Sequence, residues 1–296
     1  MGESRQRVAL VTCSKLPDLY EDDLLLVKAL ADLGIASSPA VWDDHGIDWN
    51  SFDAIVIRSP WDYFERVAEF RAWLDARAAG HVPLCNPLAT LSWNFDKGYL
   101  TDLERAGVPI VPTVRIAKGE NEDIAKLAGD RGWSDIIVKP TISGGAYRLH
   151  RFRIEEIDLH RAEIARTLDV CGVLVQPFLP EIQTSGELSL LFFGGAYSHA
   201  VRKRPKPGDF RVQFSFGGTS EIVEVDSGLV AQAARCIAHA PTPLAYARVD
   251  GVVSDGQFLL MELEVFEPLM FLSRHPGAPA RFARAIQDVL APARPA

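Results

Sequence analysis

Residues 248–271 read RVDGVVSDGQFLLMELEVFEPLMF, and the rest of the chain is organised around them. The stretch alternates like two β-strands, with Val249, Val252 and Val253 in the first and Phe258, Leu260, Met261 and Leu263 in the second. Between them, Ser254-Asp255-Gly256 is a turn signal. The strands carry Asp250, Glu262 and Glu264, and the two glutamates share one face because strand side chains repeat with period two. Carboxylates turned inward on an apolar hairpin repel each other and are costly to bury, so they call for a cation. Hard oxygen ligands suit Mg²⁺. On this segment alone, an exposed polar face of an antiparallel sheet remains the alternative.

The 296-residue chain is 48% hydrophobic, enough for two or three packed subdomains. A net charge of -8 argues against a general nucleic-acid or anionic-membrane binder. Cys13, Cys85, Cys171 and Cys236 are scattered without a CxxC pair, so neither a disulfide framework nor a zinc site is expected. The polar start, Met1 to Arg7, has no apolar signal core and no apolar run is long enough to span a membrane. A soluble, cytoplasmic protein is the expectation.

Residues 8 to 90 alternate strand and helix: Val8–Thr12, a helix from Asp22 to Leu33, Ile35–Val41, the buried strand Phe52–Arg58 and a helix from Phe64 to Ala79. That rhythm predicts an open α/β sheet whose ligand side lies at the carboxyl ends of its strands. The loop Arg58-Ser-Pro-Trp-Asp62-Tyr63 sits at such an end, read equally well as substrate-facing or as a helix entry capped by Asp62. From Trp93 one helix is expected through Ala106, then strands at Pro112-Thr113 and Ile136–Pro140 and a flexible loop Thr141–Ala146. A helix Ile154–Leu168, a strand Val173–Leu179, a hairpin Leu188–Val201 and helices Leu229–Ala238 and Arg281–Leu290 follow, with a frayed tail.

Several residues outside the hairpin carry candidate chemistry. Lys139 ends a β-branched strand ahead of Ser143-Gly144-Gly145, whose permissive backbone can fold over phosphates, and Lys97 starts a helix. Each has a plainer reading, a snorkelling lysine and an ordinary loop. Gln176-Pro-Phe178-Leu179-Pro-Glu181 has the character of a nucleotide edge, with backbone groups for a base and Glu181 for ribose hydroxyls, and Glu187 follows. In Arg202-Lys-Arg-Pro-Lys206-Pro-Gly-Asp209-Phe-Arg211, an anion site inside a cleft fits an acidic protein better than a nucleic-acid patch. Arg211 and Arg248 can each fork onto a phosphate or carboxylate.

Taken in order, these pieces resemble the ATP-grasp superfamily from about Trp93 to Leu272. The resemblance implies an α/β fold: an N-terminal open α/β domain (1–92), a lid subdomain with the glycine-rich loop (93–180) and a C-terminal subdomain with the metal site (181–296). ARVDGVVSDGQFLLMELE is similar to the corresponding stretch of D-alanine:D-alanine ligases, which puts Asp250, Glu262 and Glu264 at metal positions and Arg248 at the phosphates. Lys97 and Lys139 match ATP lysines, and Glu181 and Glu187 match nucleotide-edge acids. RKRPKPGDFRVQFSFGG is similar to the phosphate-arginine segment of ligases that add glutamate to ribosomal protein tails, which places Arg211.

VALVTC, Arg58-Ser-Pro-Trp-Asp-Tyr63 and MELEVFEPLMFL together resemble the O-ureidoserine cyclo-ligase group of cycloserine biosynthesis. The usual Glu-x-Asn pair is Glu262-Leu-Glu264 here, whose extra charge should tighten Mg²⁺ binding. Glu267-Pro-Leu-Met-Phe271 lacks the small-residue loop of the D-alanine ligases, which argues against D-alanine. The implied activity is ATP-dependent joining of a carboxylate and an amine on a small amino-acid-like substrate, through an acyl phosphate and with two Mg²⁺ ions. Arg58, Asp62 and Glu267 are the expected substrate contacts, and a homodimer is compatible with this reading. A small-molecule kinase on the same fold and a non-catalytic ATP-binding module are the alternatives.

Overall fold

The computed structural model describes residues 6–291, so the expectations for the first five residues and for the tail from 292 onward lie outside the described residues. The chain opens with β1 (Arg7–Thr12), α1 (Leu24–Asp32), β2 (Ala36–Val41), β3 (Ala54–Ser59), α2 (Val67–Ala78) and β4 (Leu84–Cys85). The strands pair in parallel in the order β2-β1-β3-β4. β3 is buried at every position, which is why its first four residues, Ala54–Ile57, are a continuous apolar run rather than an alternation.

Next come α3 (Leu88–Asn94) and α4 (Tyr99–Arg105), where one helix was expected. The break has a local cause. Asp96 turns its carboxylate back to accept from the Gly98 N–H at 2.8 Å, and the Lys97 N–H donates to the Thr141 carbonyl at 2.7 Å. Lys97 therefore lies in the turn before α4, tied to the start of the glycine-rich loop.

A second sheet contains β5 (Val114–Ile116), then, after α5 (Ile124–Gly129), β6 (Asp135–Pro140) and β7 (His150–Arg153), and, after α6 (Ile157–Leu168), β8 (Val173–Pro177). Its order is β5-β8-β6-β7, antiparallel throughout. The third sheet follows α7 (Glu181–Thr184) with β9 (Glu187–Phe193), β10 (Ala196–Arg204) and β11 (Thr219–Val223). After α8 (Ser227–Ala238), which Asp226 caps by accepting from the Leu229 N–H at 2.9 Å, come β12 (Tyr246–Ser254), β13 (Gln257–Glu264) and α9 (Ala278–Leu290). The order is β11-β10-β9-β12-β13.

β7 and β11 were not expected. Both are edge strands, and β11 has no fully buried residue to mark it.

The N-terminal and C-terminal sheets share a core. Leu26 and Leu30 of α1 meet Phe282 and Ile286 of α9, with Phe193 and Tyr246 beneath them. Burying a side chain of this size contributes about 1.5–3 kcal/mol, so this seam holds the two regions in one geometry. Among the described residues, no helix is long and apolar enough to cross a membrane.

Candidate active site

Asp255 and Gly256 take φ of 49° and 78°, the paired left-handed conformation of a two-residue hairpin turn. The turn sets Ser254 opposite Gln257 and Val253 opposite Phe258, but the register shifts between Asp250 and Gly251, leaving Met261 as an extra residue. This bulge decides the site. Beyond it Asp250 faces Glu262 and Arg248 faces Glu264, whereas an unbroken register would put Glu262 opposite the core residue Val249. A Cβ on Gly251 would run into the Leu259 carbonyl and the Phe258 ring, so only glycine fits there.

The resulting face has two ends. Near the turn it is apolar: Val252, Leu259 and Met261 pack with Ile182, Val212, Phe178 and Leu179. At the other end Arg248 forks onto Asp250 (Nε to Oδ1 3.0 Å, Nη2 to Oδ2 2.8 Å) and also pairs with Glu264. Lys203 bonds Asp250 Oδ2 at 3.1 Å and pairs with Glu187, while the Ser189 hydroxyl donates to Asp250 Oδ1. From the second sheet's side, Lys97 reaches Glu262 Oε1 at 3.2 Å and holds the glycine-rich loop through the Ser143 carbonyl. Lys139 is 7% exposed and, among the described residues, has no ion-pair or hydrogen-bond partner for its ammonium.

Burial pushes the Lys139 pKa down, against the pull of Glu262. Burial also opposes ionisation of Asp250, but Arg248 and Lys203 outweigh it and hold this carboxyl below the usual range. Glu264 goes the other way. Burial, then repulsion from Glu262, Glu267 and Asp250, raise it well above a normal glutamate despite Arg248. Burial pushes Glu267 up to about 7 against the stabilising influence of the nearby Tyr63 hydroxyl and the Lys97 charge.

The structure corrects several expected positions. Arg58 is fully buried, bonded to Asp23 (2.9 Å) and the Pro268 carbonyl (2.9 Å), so its fork does not face a substrate. Asp62 turns back into the N-terminal sheet, accepting from Trp42 Nε1 at 2.9 Å. Its neighbours reach the cleft instead: Trp61 Nε1 donates to Glu267 Oε2 at 3.1 Å, and the Tyr63 hydroxyl to the Ser143 carbonyl at 3.4 Å. Phe64 packs on Tyr147 and against Gly144, which also lies near Glu267. Gly145 has a φ of 58°.

Arg211 is gathered by Asp209 (2.8 Å) and stacks over Phe216 rather than joining the charged end. Gln176 donates to the Thr113 hydroxyl at 2.8 Å, and the Phe178 N–H donates to the Asp135 carbonyl at 2.9 Å. Of the backbone groups expected to face a base, the Phe178 N–H is thus already engaged. Glu187 belongs to the charged end with Lys203, not to the nucleotide edge, whereas Glu181 accepts from Ser254 and keeps a buried Oε2 that has no partner among the described residues.

Lys203 was missed as an individual residue, although period two within Arg202-Lys-Arg204 separates it. Its neighbours point the other way toward Glu221. Asn94 was also missed. Its amide donates to the Leu263 carbonyl (2.6 Å) and accepts from the Val265 N–H (3.1 Å), holding β13 in place, and no pattern in the sequence announces such a clamp.

The three-carboxylate metal set narrows. Among the described residues no three acidic, His or Cys side chains are arranged to hold a metal ion, and both Asp250 oxygens are engaged. Glu262 and Glu264 each use Oε1 and, among the described residues, keep Oε2 without a partner, side by side on one strand face. Two carboxylates with phosphate oxygens completing the shell is how Mg²⁺ is usually bound, so the donor set fits that ion.

Residues 107–240 match the family model of the ATP-grasp domain of prokaryotic glutathione synthetase, and residues 8–86 match that of the N-terminal domain of D-cycloserine synthetase DcsG. Over 297 aligned residues the chain is 32% identical to the cycloserine biosynthesis protein DcsG of Streptomyces lavendulae, covering 96% of this chain and 99% of the relative. The chain belongs to the DcsG family of ATP-grasp ligases.

The crystal structure of D-cycloserine synthetase DcsG aligns with a TM-score of 0.87 over 96% of this chain and 100% of that one, at 32% identity. D-alanine–D-alanine ligase of Bacillus anthracis, at 15% identity, covers 95% of each chain with a TM-score of 0.68 and shares the fold. As a DcsG-family member the chain is an ATP-dependent carboxylate–amine ligase, an enzyme that forms C–N bonds, and the ATP-grasp family generally uses ATP with Mg²⁺. The resemblance read from VALVTC, the Arg58–Tyr63 loop and MELEVFEPLMFL is borne out.

Proposed function

We propose that the chain activates the carboxylate of a small amino-acid-like substrate as an acyl phosphate and closes it onto an amine of the same molecule, as an O-ureidoserine-type cyclo-ligase. The observation that carries this reading is Lys139, buried, unpaired and within electrostatic reach of Glu262, Lys97 and Asp250. Such an ammonium awaits an anion, and a phosphate brought between it and the hairpin meets Lys97 and Arg248 as well. The apolar end of the face, from Phe178 to Met261, suits the base, and Glu181 Oε2 suits a ribose hydroxyl.

In the first step a substrate carboxylate oxygen bonds to the γ-phosphorus and the bond to ADP breaks. The amine nitrogen then bonds to the acyl carbon, the acyl–phosphate bond breaks, and phosphate and a proton leave. Lys139, Lys97 and Arg248 neutralise the transferring phosphoryl group and Asp250 with Lys203 keeps Arg248 aimed. Glu262 and Glu264 would hold Mg²⁺, two ions in this reading, and a bound ion neutralises phosphate oxygens. Glu267, between Tyr63 and Lys97, accepts from the substrate amine. The Ser143–Ala146 loop, fastened by Lys97 and Tyr63, keeps water from the acyl phosphate.

Support for a small substrate that closes on itself comes from the match over residues 8–86, because the N-terminal region that supplies Trp61 and Tyr63 resembles DcsG too. The test is to supply ATP, Mg²⁺ and O-ureidoserine, or single amino acids and pairs, and to follow ADP, phosphate and product mass. Ring product from one substrate is expected. ADP release only when a separate amine is added would overturn the intramolecular reading, and a phosphorylated product would mark a kinase.

A further inference from the structure

The segment from Glu267 to Ser273, which follows the carboxylate strand, is held from two sides. From the N-terminal sheet, Trp61 Nε1 donates to the Glu267 carbonyl (3.2 Å) and Arg58 Nη2 to the Pro268 carbonyl (2.9 Å). Both oxygens of Asp22 accept from consecutive N–H groups, Leu272 at 2.6 Å and Ser273 at 2.9 Å. From the hairpin, Arg248 Nη1 donates to the Leu269 carbonyl at 3.0 Å. Neighbouring carbonyls thus receive the two arginines, one from each sheet. Between those carbonyls and the Leu272–Ser273 amides, Phe271 is held at a φ of 48°, a conformation a bulky residue keeps only where its surroundings impose it.

We propose that Asp22, Asp23 and Arg58 form a positioning cluster that sets the guanidinium of Arg248 against the ATP phosphates through the 267–273 backbone. This rests on the phosphate role given to Arg248 above. Arg58 and Asp23 are 0% and 2% exposed as side chains, so they act on the reaction only through what they hold. Arg58 has little freedom to move. It lies over the Tyr246 and Phe282 rings, and Asp23 and Pro268 bracket it. Asp250 and Glu264 fix the Nε and Nη2 edge of Arg248, and the Leu269 carbonyl fixes Nη1. Releasing Pro268 or the Leu272–Ser273 amides lets that carbonyl drift and the fork turn about Asp250. The N-terminal region thereby sets how well the other end of the molecule grips nucleotide.

A double-mutant cycle with Arg248→Lys, read by calorimetric titration of a non-hydrolysable ATP analogue with Mg²⁺, tests this without knowledge of the second substrate. The ion pair is removed as a unit by Asp23→Leu with Arg58→Met, since apolar replacement of both partners avoids stranding a buried charge. Asp22→Asn serves as an independent variant that keeps the volume and one acceptor oxygen, and thermal unfolding checks each protein. Arg248→Lys alone is expected to loosen the analogue by about tenfold, from loss of the fork. The cluster variants should loosen it by about fivefold with Arg248 present and by less than about twofold in the Arg248→Lys background, the non-additivity of residues that act through one another. Equal losses in both backgrounds would overturn the positioning role. No effect of Arg248→Lys itself would instead remove the phosphate assignment. If the paired replacement does not fold, the Asp22→Asn cycle decides alone.

Discussion

Arg58 and Arg248 are alike in what a sequence shows and opposite in what they do. Each lies on a buried strand, each is bonded to an aspartate, and each sends one nitrogen to a backbone carbonyl of the same segment, Pro268 for one and Leu269 for the other. Around Arg58 lie the Tyr246 and Phe282 rings, and among the described residues its one ion-pair partner is Asp23. Around Arg248 the carboxylates are in surplus. Glu262, Glu264 and Glu267 crowd the same space, Lys97 and Lys139 answer Glu262, and Lys203 answers Asp250 and Glu187. A balanced pair makes a joint, whereas a set of charges left open to more charge makes a site.

The largest effects should come from removing charge at the open region. Lys139→Ala and Glu262→Ala are expected to lower ADP formation by about a thousandfold or more, because each deletes a group that acts on the phosphoryl transfer directly. Unfolding temperatures near that of the unmodified protein would show that the loss is local. Wild-type turnover in either folded variant would dissolve the contrast between the two arginines' surroundings.

Gly251→Ala should come next, because it attacks the alignment and leaves every charge in place. The added Cβ meets backbone at the bulge, so Glu262 loses its place opposite Asp250, and activity should fall by about a hundredfold. A rate within a factor of three of the unmodified enzyme would mean that the bulge does not set the site.

Much of this was legible beforehand. The hairpin could be read because Asp255-Gly256 has one good conformation and the apolar residues flanking it alternate. The continuous apolar run of β3 likewise declared a buried parallel strand. The bulge could not be read, since Met261 and Leu260 are both apolar and nothing in their order says which is the extra residue. Lys139 and Glu262 were visible as types. Arg58 was misplaced because it still belongs to the buried strand β3 rather than to the loop after it, and Asp62 because that loop turns Trp61 and Tyr63 to the cleft and Asp62 inward. β7 and β11 stayed hidden because each buries too few residues, one and none, to leave a pattern.

Smaller effects separate the two arginines by stability. Arg58→Lys keeps the charge but loses the fork in a sealed pocket, so it should cost about 2 kcal/mol and lower Tm by on the order of 5 °C, with the amino-acid KM unchanged. A selective rise in that KM would return Arg58 to the substrate. Glu264→Asn should preserve turnover while raising the Mg²⁺ needed for half-activity, since one negative charge is lost from the ion's face. An unchanged Mg²⁺ titration would remove Glu264 from the metal.

The smallest effect concerns pH. Glu267 has its folded pKa raised to about 7, so its contribution to stability is present below the unfolded value near 4.5 and is lost as pH rises through about 7. Glu267→Gln should therefore raise Tm by a few degrees at pH 8 and leave it nearly unchanged at pH 5, when measured without nucleotide or metal. A gain at pH 5 as large as that at pH 8 would contradict the assignment. Asp250, held low by Arg248 and Lys203, works in a separate window, losing its contribution only as pH falls below the ordinary aspartate range.

The central claim, that the open charge cluster makes an acyl phosphate, is tested most directly with O-ureidoserine labelled with ¹⁸O in its carboxylate. The enzyme is run with ATP and Mg²⁺, and the released phosphate is analysed by mass spectrometry. An acyl phosphate transfers one labelled oxygen to each phosphate released with ring product. Product formed with phosphate free of label would contradict it.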